Sequence, residues 1–332
     1  MSSPQIPLFA FSVPEYWPRL CEQVDRLMTD APRSESTLRA YVSNWRAFEA
    51  WCSAANRSAL PATSETIIEF ITWALYERKY RLATVNVFLP AIAKKHREAK
   101  YLSPMTAEVS EFVARAKADL KEKPRQAAAM TPELLRKICR WLLDHAAEDP
   151  YYLRDRAMFL CQFGAGWRES EICALDLADI RFVRSAKPKV ILSLGASKMD
   201  QTGETGRDAP VNQGRREETD PLAALKAWIQ FRGSAPGPLF CQIRRGSAFV
   251  SRLDRATVNY RLKTVLERMG LDPKGYSSHS LRAGMVTTGI LRGASESAIM
   301  LRTGHASLES MRKYIRAGQA IVTAADPLAG VL

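Results

Sequence analysis

The chain has 332 residues, and its 48 Lys and Arg against 35 Asp and Glu give a net charge of +13. Hydrophobic residues make up 46% of the chain, enough to bury an apolar core, which excludes a disordered or low-complexity protein. The sequence contains no run of about 18 apolar residues, so we expect no membrane span. The positive charge has two explanations at this point, which are solubility and the binding of a polyanion such as nucleic acid.

Apolar residues in the first third of the sequence recur at the spacing of amphipathic helices. The stripe from Leu38 to Cys52 is one example, and Thr63 or Ser64 provides the start of another helix. Four helices are predicted in this way, and they cover approximately residues 36–52, 63–75, 85–97 and 106–120. Because no alternating strand pattern precedes residue 120, this part of the chain is predicted to be a small helical bundle.

A change in composition near residue 128 divides the sequence into two parts. Residues 121–129 combine a proline with mixed charge and lack apolar periodicity, as is typical of a linker. Thr131, Pro132 and Glu133 then form a helix start, with a hydroxyl N-cap, proline at the first position and an acid in the first turn. We therefore expect one domain over residues 1–128, a linker to about 130, and a second domain over residues 131–332. Residues 1–128 hold 18 basic and 14 acidic residues and the remainder 30 and 21, so both parts are basic, by +4 and +9.

The second part combines helices with a small number of strands. Residues 189–194 are short, β-branched and apolar, which predicts a strand, and residues 207–211 form its partner across a polar connection. Helical patterns resume from Pro221 onward and near residues 256–269. The expected fold class is therefore mainly α, with a small sheet in the second part.

Four segments of the second part hold polar residues that core packing does not require. In chain order these are Arg168 with Glu171, Lys198, His279 with Arg282, and His305 with Tyr314. Arg168 opens a helix after a glycine-rich turn, and His279 and Arg282 share one helix face because they are three residues apart. Each residue alone is well explained as a surface charge, a helix cap or partial packing, but the order and spacing of the set are much more specific.

This order of Arg, strand-end Lys, His-x-x-Arg, Gly-His and Tyr resembles the tyrosine recombinase, or phage integrase, family. The resemblance covers roughly residues 131–316, and the segment from Gly166 to Leu175 is close to the family pattern G-x-R-x-x-E-(L/I)-x-x-L. It implies a helical, SAM-like core-binding domain, followed by a mostly helical catalytic domain with a small antiparallel sheet. A simple two-domain protein of the Cre or Xer kind is implied, without a choice between the two. Trp167 stands where the family usually has a smaller residue, and we expect it to pack under the site.

The resemblance implies a chemical role for each member of the set. Six residues are implied to be catalytic: Arg168, Lys198, His279, Arg282, His305 and Tyr314. Tyr314 would attack the DNA phosphate and form a 3′-phosphotyrosine intermediate, which conserves the bond energy and needs no ATP. Arg168 and Arg282 would hold the non-bridging oxygens in place of metal ions, so neither a metal nor a cofactor is expected.

The other implied roles concern protons and orientation. Lys198 would protonate the leaving 5′ oxygen, and His279 would share the Tyr314 proton or bind the phosphate. His305 would donate a hydrogen bond to a non-bridging oxygen. Glu171 is either an acid that orients a basic partner or an exposed carboxylate on the helix surface, and the sequence supports both equally.

Basic residues outside this set are candidate DNA contacts, although each is also explained as a solvated surface charge. They are Arg78, Lys79, Arg81, Lys94, Lys95, Arg97, Arg244, Arg245, Arg252, Arg255 and Lys263. The run from Lys94 to Arg97 is favoured because it extends an amphipathic helix.

The implied function is a site-specific DNA recombinase that exchanges strands through a Holliday junction. The expected partners are double-stranded DNA with inverted-repeat sites and further copies of this chain, with no membrane partner. The chain is expected to form a monomer or dimer on single sites and a homotetramer on paired sites. The apolar tail over residues 317–332 is expected to dock on a neighbouring subunit, and the protein to be cytoplasmic, nucleoid-associated and of bacterial, phage or plasmid origin. Two alternatives remain, a type IB topoisomerase-like strand transferase and an inactive DNA-binding protein of the same fold.

The basic run at Lys94–Arg97 supports a first prediction. Neutralising two of its charges should lower the slope of log affinity against log salt by about two, because each lost phosphate contact retains about one counterion on the DNA. Fluorescence anisotropy over a salt series measures this slope. An unchanged slope would remove this helix from the DNA interface.

Overall fold

The computed structural model describes residues 35–122, 127–195, 206–243 and 251–312. The chain divides into two compact units, Met1–Pro124 and Arg125–Leu332, and each has its own apolar core. The described residues are mostly helical and include one three-stranded antiparallel sheet, which confirms the predicted fold class. None of the helices in these ranges combines the length and apolar character that crossing a membrane requires.

The described part of the first unit is entirely helical. Its elements are α1 (Glu35–Ala54), α2 (Ser64–Thr72) continued by a π-helical turn (Trp73–Glu77), α3 (Leu82–Val85), α4 (Leu89–Glu98) and α5 (Ala107–Leu120). Thr63 and Thr106 cap α2 and α5, each through a hydroxyl that accepts a backbone N–H of the first turn. The single helix predicted over residues 85–97 is two helices. Aromatic rings fill the core, where Phe48 and Phe70 meet edge to face with their centroids 5.1 Å apart.

His96, within the predicted basic run, belongs to this core. Its side chain is fully buried, and its Nε2 accepts the backbone N–H of Ala62 at 2.8 Å. Its Nδ1 donates to the carbonyl of Ile92 at 2.9 Å, so both ring nitrogens have partners inside the unit. The histidine therefore fixes the helix in the core and does not extend the basic surface.

The second unit surrounds one central helix. Its elements are α6 (Pro132–Asp144), α7 (Pro150–Ala165), α8 (Glu169–Ala174), β1 (Ile180–Val183), β2 (Lys189–Leu194), β3 (Arg207–Asn212), α9 (Pro221–Arg232), α10 (Arg255–Arg268), α11 (Ser278–Leu291), α12 (Glu296–Thr303) and α13 (Leu308–Arg312). Helix α7 packs against α6, α9, α11 and β3, and it is buried on nearly every face. Thr131 caps α6 as the sequence predicts.

The sheet places β2 between β1 and β3, antiparallel to both. Strand β2 has the predicted bounds, and β3 extends its predicted partner by one residue. The sequence pattern does not predict strand β1, because its two middle residues, Arg181 and Phe182, are both exposed and break the alternation. The β2–β3 ladder ends at the pair Leu194 and Arg207, which places Arg207 at the base of the connection between the strands.

A buried ion network joins α7 to α10. The carboxylate of Asp155 is fully buried and binds Arg154 at 2.8 Å and Arg261 at 2.6 Å. The ring of Tyr151 lies against both guanidiniums, and each Cζ is 4.9 Å from its centroid. One carboxylate therefore pairs with two buried cations.

Replacement of Asp155 should strongly destabilise the protein. Asp155→Asn leaves two buried guanidiniums without their shared anion, so the free energy of unfolding should fall by about 3–5 kcal/mol. Urea unfolding measures this change. Asp144→Asn alters an exposed acid at the end of α6 and should change stability by less than about 0.5 kcal/mol. Equal stabilities of the two variants would contradict the importance of the network.

Candidate active site

The ends of two helices, α7 and α12, form the frame of the site. Gly166 ends α7 at φ +69° and Gly304 ends α12 at φ +65°, a left-handed conformation that favours glycine. A Cβ on Gly166 would lie 2.8 Å from Cγ2 of Thr303, which is too short a contact. The close approach of the two helix ends therefore depends on the absent side chain at Gly166.

Arg282 of α11 joins these helix ends. Its side chain is fully buried, and Nη1 donates to the carbonyls of Gly166 at 2.7 Å and Thr303 at 2.8 Å. Its Nη2 lies 3.0 Å from Nε2 of His305. Carbonyls at the C-terminus of a helix carry partial negative charge, so they stabilise the buried cation. The guanidinium thus fixes the positions of both helix ends and of the predicted residue His305.

The hydrogen bonds of His305 define its tautomer. A guanidinium only donates, so Nε2 of His305 accepts from Arg282 and the ring proton lies on Nδ1. Nδ1 donates to Oγ1 of Thr303 at 2.6 Å, and this hydroxyl donates to the carbonyl of Ile299 at 2.7 Å. The predicted donation from His305 to a phosphate oxygen therefore requires a change in the hydrogen bonding at Nε2.

The electrostatic environment of His305 keeps the imidazole neutral. Burial, followed by the positive charges of Arg282, Arg168 and Arg207, lowers the pKa of His305 to about 3. A phosphodiester anion among these cations would oppose this effect, because negative charge favours the protonated imidazole. Binding of DNA is thus the change that would prepare His305 to donate.

Arg168 is the N-cap of α8, and Glu171 holds it in place. Oε2 of Glu171 accepts the backbone N–H of Arg168 at 2.7 Å, and Oε1 accepts from Nη1 at 3.0 Å. The first contact is one half of a capping box, in which an acid at the third helical position reaches back to the N-cap. Because the Glu171 side chain is only 3% exposed, the alternative of a surface carboxylate is wrong.

Arg207 also belongs to the site, although the sequence pattern assigns it only to a strand. Its Nη2 lies 3.1 Å from Oε1 of Glu171, the oxygen that also binds Arg168. Its Cζ lies 5.2 Å from the ring centroid of Trp167, which is fully buried and donates its indole N–H to the carbonyl of Arg302. An arginine at the start of a strand carries no sequence signal of a carboxylate partner, and only the fold brings the two together.

His279 shares α11 with Arg282 but is exposed. Its Nδ1 lies 3.2 Å from Oε2 of Glu169, a residue that the sequence analysis does not single out. Burial by itself would raise the pKa of Glu169, but hydrogen bonds from His279, from the backbone and from Ser278 hold it below its ordinary range. Both ends of the His-x-x-Arg motif therefore contact the Gly166–Glu171 turn, Arg282 through Gly166 and His279 through Glu169.

Several predicted residues lie outside the described ranges. They are Lys198, Tyr314, Arg244, Arg245 and the tail over residues 317–332. The structure therefore places four of the six predicted catalytic residues, and the roles of all six stay predictions.

Several of the predicted DNA contacts have partners within the protein. Arg252 donates through Nη1 to the carbonyl of Cys173 at 3.0 Å and through Nη2 to Asp176 at 2.6 Å, so it closes the C-terminus of α8. Arg81 pairs with Glu122 at 3.2 Å and Lys94 with Glu98 at 2.6 Å. The other described candidates are exposed or half-buried, and they are Arg78, Lys79, Lys95, Arg97, Arg255 and Lys263. DNA contact stays a prediction at all of these positions.

Known proteins match this chain over both units. A model of the phage integrase family matches residues 133–320. The integrase/recombinase XerD homolog of Selenomonas ruminantium is 26% identical over 288 residues, which cover 86% of this chain and 83% of that protein. The tyrosine recombinase XerC of Rhodospirillum centenum is 32% identical over 179 residues, 52% of this chain and 46% of that protein. The chain thus matches about half the length of the latter relative.

Three solved structures with a similar fold are complexes with DNA. A lambda integrase dimer bound to a COC′ core site has a TM-score of 0.58 at 19% identity and covers 90% of this chain and 76% of that chain. A lambda integrase tetramer bound to a Holliday junction has a TM-score of 0.58 at 18% identity, with 91% and 77% covered. XerH bound to palindromic difH in a post-cleavage complex has a TM-score of 0.55 at 17% identity, with 81% and 71% covered. These likenesses establish the shared fold.

The lowered pKa of His305 predicts a dependence of stability on pH. Below the ordinary value of 6.5 the unfolded chain binds a proton at His305, whereas the folded chain binds it only near pH 3. The free energy of unfolding should therefore decrease as the pH is lowered through this window, by about 1.4 kcal/mol per pH unit from this group. His305→Gln removes this contribution. Between about pH 6.5 and 4.5, the free energy of unfolding measured in urea should therefore decrease by about 2–3 kcal/mol less in this variant than in wild type.

His145→Gln, at the end of α6, is the control for this measurement. His145 donates to the carbonyl of Trp141 on its own helix and stacks on that ring, away from the cations around His305. Its replacement should leave the large pH dependence of the wild type in place. A pH dependence of His305→Gln equal to that of wild type would contradict the assignment of a neutral buried imidazole.

Proposed function

The chain belongs to the phage integrase family and is a site-specific tyrosine recombinase, and we propose that it transfers DNA strands through a 3′-phosphotyrosine intermediate. One observation carries the proposal. Arg168 and Arg282 come from separate motifs. Arg282 lies 3.0 Å from Nε2 of His305, and burial together with the charges of both arginines lowers the pKa of this histidine. A site with this excess of positive charge has the electrostatic character that binding and activating a phosphodiester anion requires.

The strand-transfer step follows from these groups. The Tyr314 oxygen attacks phosphorus, the bond from phosphorus to the 5′ oxygen breaks, and Lys198 supplies the proton that the leaving oxygen takes up. Arg168 and Arg282 stabilise the charge that develops on the non-bridging oxygens. The 5′ hydroxyl of a second strand then attacks the phosphotyrosine and releases Tyr314. Because one phosphodiester bond forms for each one that breaks, the exchange needs no ATP.

The roles of the two histidines follow from their different surroundings. Exposed His279 has a carboxylate partner in Glu169, which suits a group that shares the Tyr314 proton. Buried His305 accepts from Arg282 before DNA binds, and the phosphate charge would favour its conversion into a donor. In this proposal Glu171 orients Arg168.

The assembly belongs to the same proposal. Exchange between two duplexes needs four cleavages, so four copies of this chain would act on paired inverted-repeat sites and pass through a Holliday junction. The lambda integrase tetramer on a Holliday junction, which has a similar fold, supports this arrangement. The apolar tail over residues 317–332 would link neighbouring subunits. Because the substrate is DNA, we place the protein in the cytoplasm at the nucleoid.

Trapping of a covalent adduct tests the proposed chemistry. A target is first selected from a library of randomised inverted repeats, and a nicked suicide duplex of that sequence is incubated with protein in EDTA without ATP. Wild type should form an adduct that survives denaturing electrophoresis, and Tyr314→Phe should form none while it still binds the DNA. Tyr260→Phe, which alters an exposed tyrosine of α10, is the matched control and should react as wild type does.

The same reagents separate the alternatives. An adduct in Tyr314→Phe would contradict the assigned nucleophile, and no adduct in wild type would indicate an inactive DNA-binding protein. A plasmid that lacks the selected sequence should keep its supercoils. Relaxation of that plasmid would instead support a topoisomerase-like activity.

A further inference from the structure

The carboxylate of Glu171 is shared between two arginines. Its Oε1 lies 3.0 Å from Nη1 of Arg168 and 3.1 Å from Nη2 of Arg207. Its Oε2 accepts the backbone N–H of Arg168 at 2.7 Å. One negative charge thus faces two positive charges, and a net positive charge remains beside the carboxylate.

The guanidinium of Arg207 occupies space that the absent side chain of Gly304 leaves open. A Cβ on Gly304 would lie 1.5 Å from Nη1 of Arg207, so any other residue at this position would displace the guanidinium. The ring of Trp167 covers another side of the guanidinium. The backbone of Arg207 is anchored at the end of the β2–β3 ladder, opposite Leu194. Three separate elements of the second unit therefore converge on this one side chain.

The hydrogen bonding of Arg207 does not favour a purely structural role. Its side chain is 13% exposed, yet Nε and Nη2 are both buried without a hydrogen bond in the described structure, so its contact with Glu171 is an ion pair. A buried donor without an acceptor costs free energy, so Arg207 is held in this position at the expense of its own hydrogen bonding. By contrast, Arg252 at the other end of α8 donates to several carbonyls and a carboxylate.

We propose that Arg207 is a positioning residue of the active site, which neutralises Glu171 so that the charge of Arg168 is available to the DNA phosphate. The inference rests on the proposed function and adds a third arginine to it. Without Arg207, the carboxylate would pair with Arg168 alone and cancel its charge. With Arg207 present, Glu171 still orients Arg168, and the negative charge of Glu171 is already balanced by Arg207.

Single-turnover cleavage of the suicide duplex tests this role. Arg207→Met removes the charge and keeps a long side chain, and it should slow adduct formation by about 10- to 100-fold. The Kd for the same DNA should change much less, because the rest of the basic surface is intact. Arg207→Lys restores the charge and should recover a large part of the rate. Arg140→Met is the control, since Arg140 also pairs with a buried carboxylate, Glu218, and its loss should leave cleavage unchanged.

A double-mutant cycle with Glu171→Gln separates positioning from mere stability. If Arg207 acts through Glu171, then Arg207→Met should slow cleavage by less than about twofold once Glu171 is neutral. Independent, multiplicative losses would overturn the inference. Thermal unfolding of each variant identifies loss of structure, and Arg207→Gln replaces Arg207→Met if the latter does not fold.

The imidazole of His305 provides a readout that does not depend on cleavage. The chain has only four histidines, so ¹³C-labelled histidine resonances are readily assigned by substitution. Loss of the nearby positive charge should raise the pKa of His305 in Arg207→Met, whereas Arg140→Met should leave it unchanged. An unshifted His305 titration would overturn the placement of Arg207 in the site.

The failure of this inference is distinguishable from failure of the proposed function. If wild type forms the adduct and Arg207→Met forms it at the same rate, only the role of Arg207 is overturned. If wild type forms no adduct on its selected target, the proposed function fails and this inference fails with it.

Discussion

The burial of the Arg282 guanidinium against the carbonyl ends of two helices is the constraint on which the site depends. A buried cation is costly unless it has partners. Here the carbonyls of Gly166 and Thr303 and the imidazole of His305 accept hydrogen bonds from the guanidinium. Displacement of any one of these acceptors would leave the buried charge less well compensated. The same contacts hold α7, α11 and α12 together, so the stability of the fold and the geometry of the site have one origin.

A surplus of positive charge follows from this arrangement. Arg168, Arg207 and Arg282 all act on His305, and the carboxylate of Glu171 balances only part of their charge. Burial, together with these positive charges, lowers the pKa of His305 and keeps its imidazole neutral. The cations are also preorganised by the fold, so little reorganisation is needed when charge develops on a phosphate. The net charge of +13 thereby has a specific local use in addition to general attraction to DNA.

Many helix starts and strand bounds could be predicted from the sequence, because they depend on residues within a few positions of each other. The helix starts at Thr63 and Thr131 and the bounds of β2 follow from residue chemistry within a few positions. Strand β1 was missed because both its middle residues are exposed. The partners of individual side chains were missed for a different reason, since Glu169 and Arg207 meet their partners only through long-range packing.

The sequence by itself determined the class of fold, the family motifs and the chemical type of the groups at Arg168, His279, Arg282 and His305, because motif spacing and helix periodicity are local properties. Only the tertiary structure decided the protonation of His305 and which carboxylates Arg168 and His279 contact. A pKa depends on burial and on charges from distant segments, and a pattern along one chain does not contain those distances. The net charge suggested an anion as partner, but the folded site decided where three arginines, one carboxylate and a neutral histidine would meet.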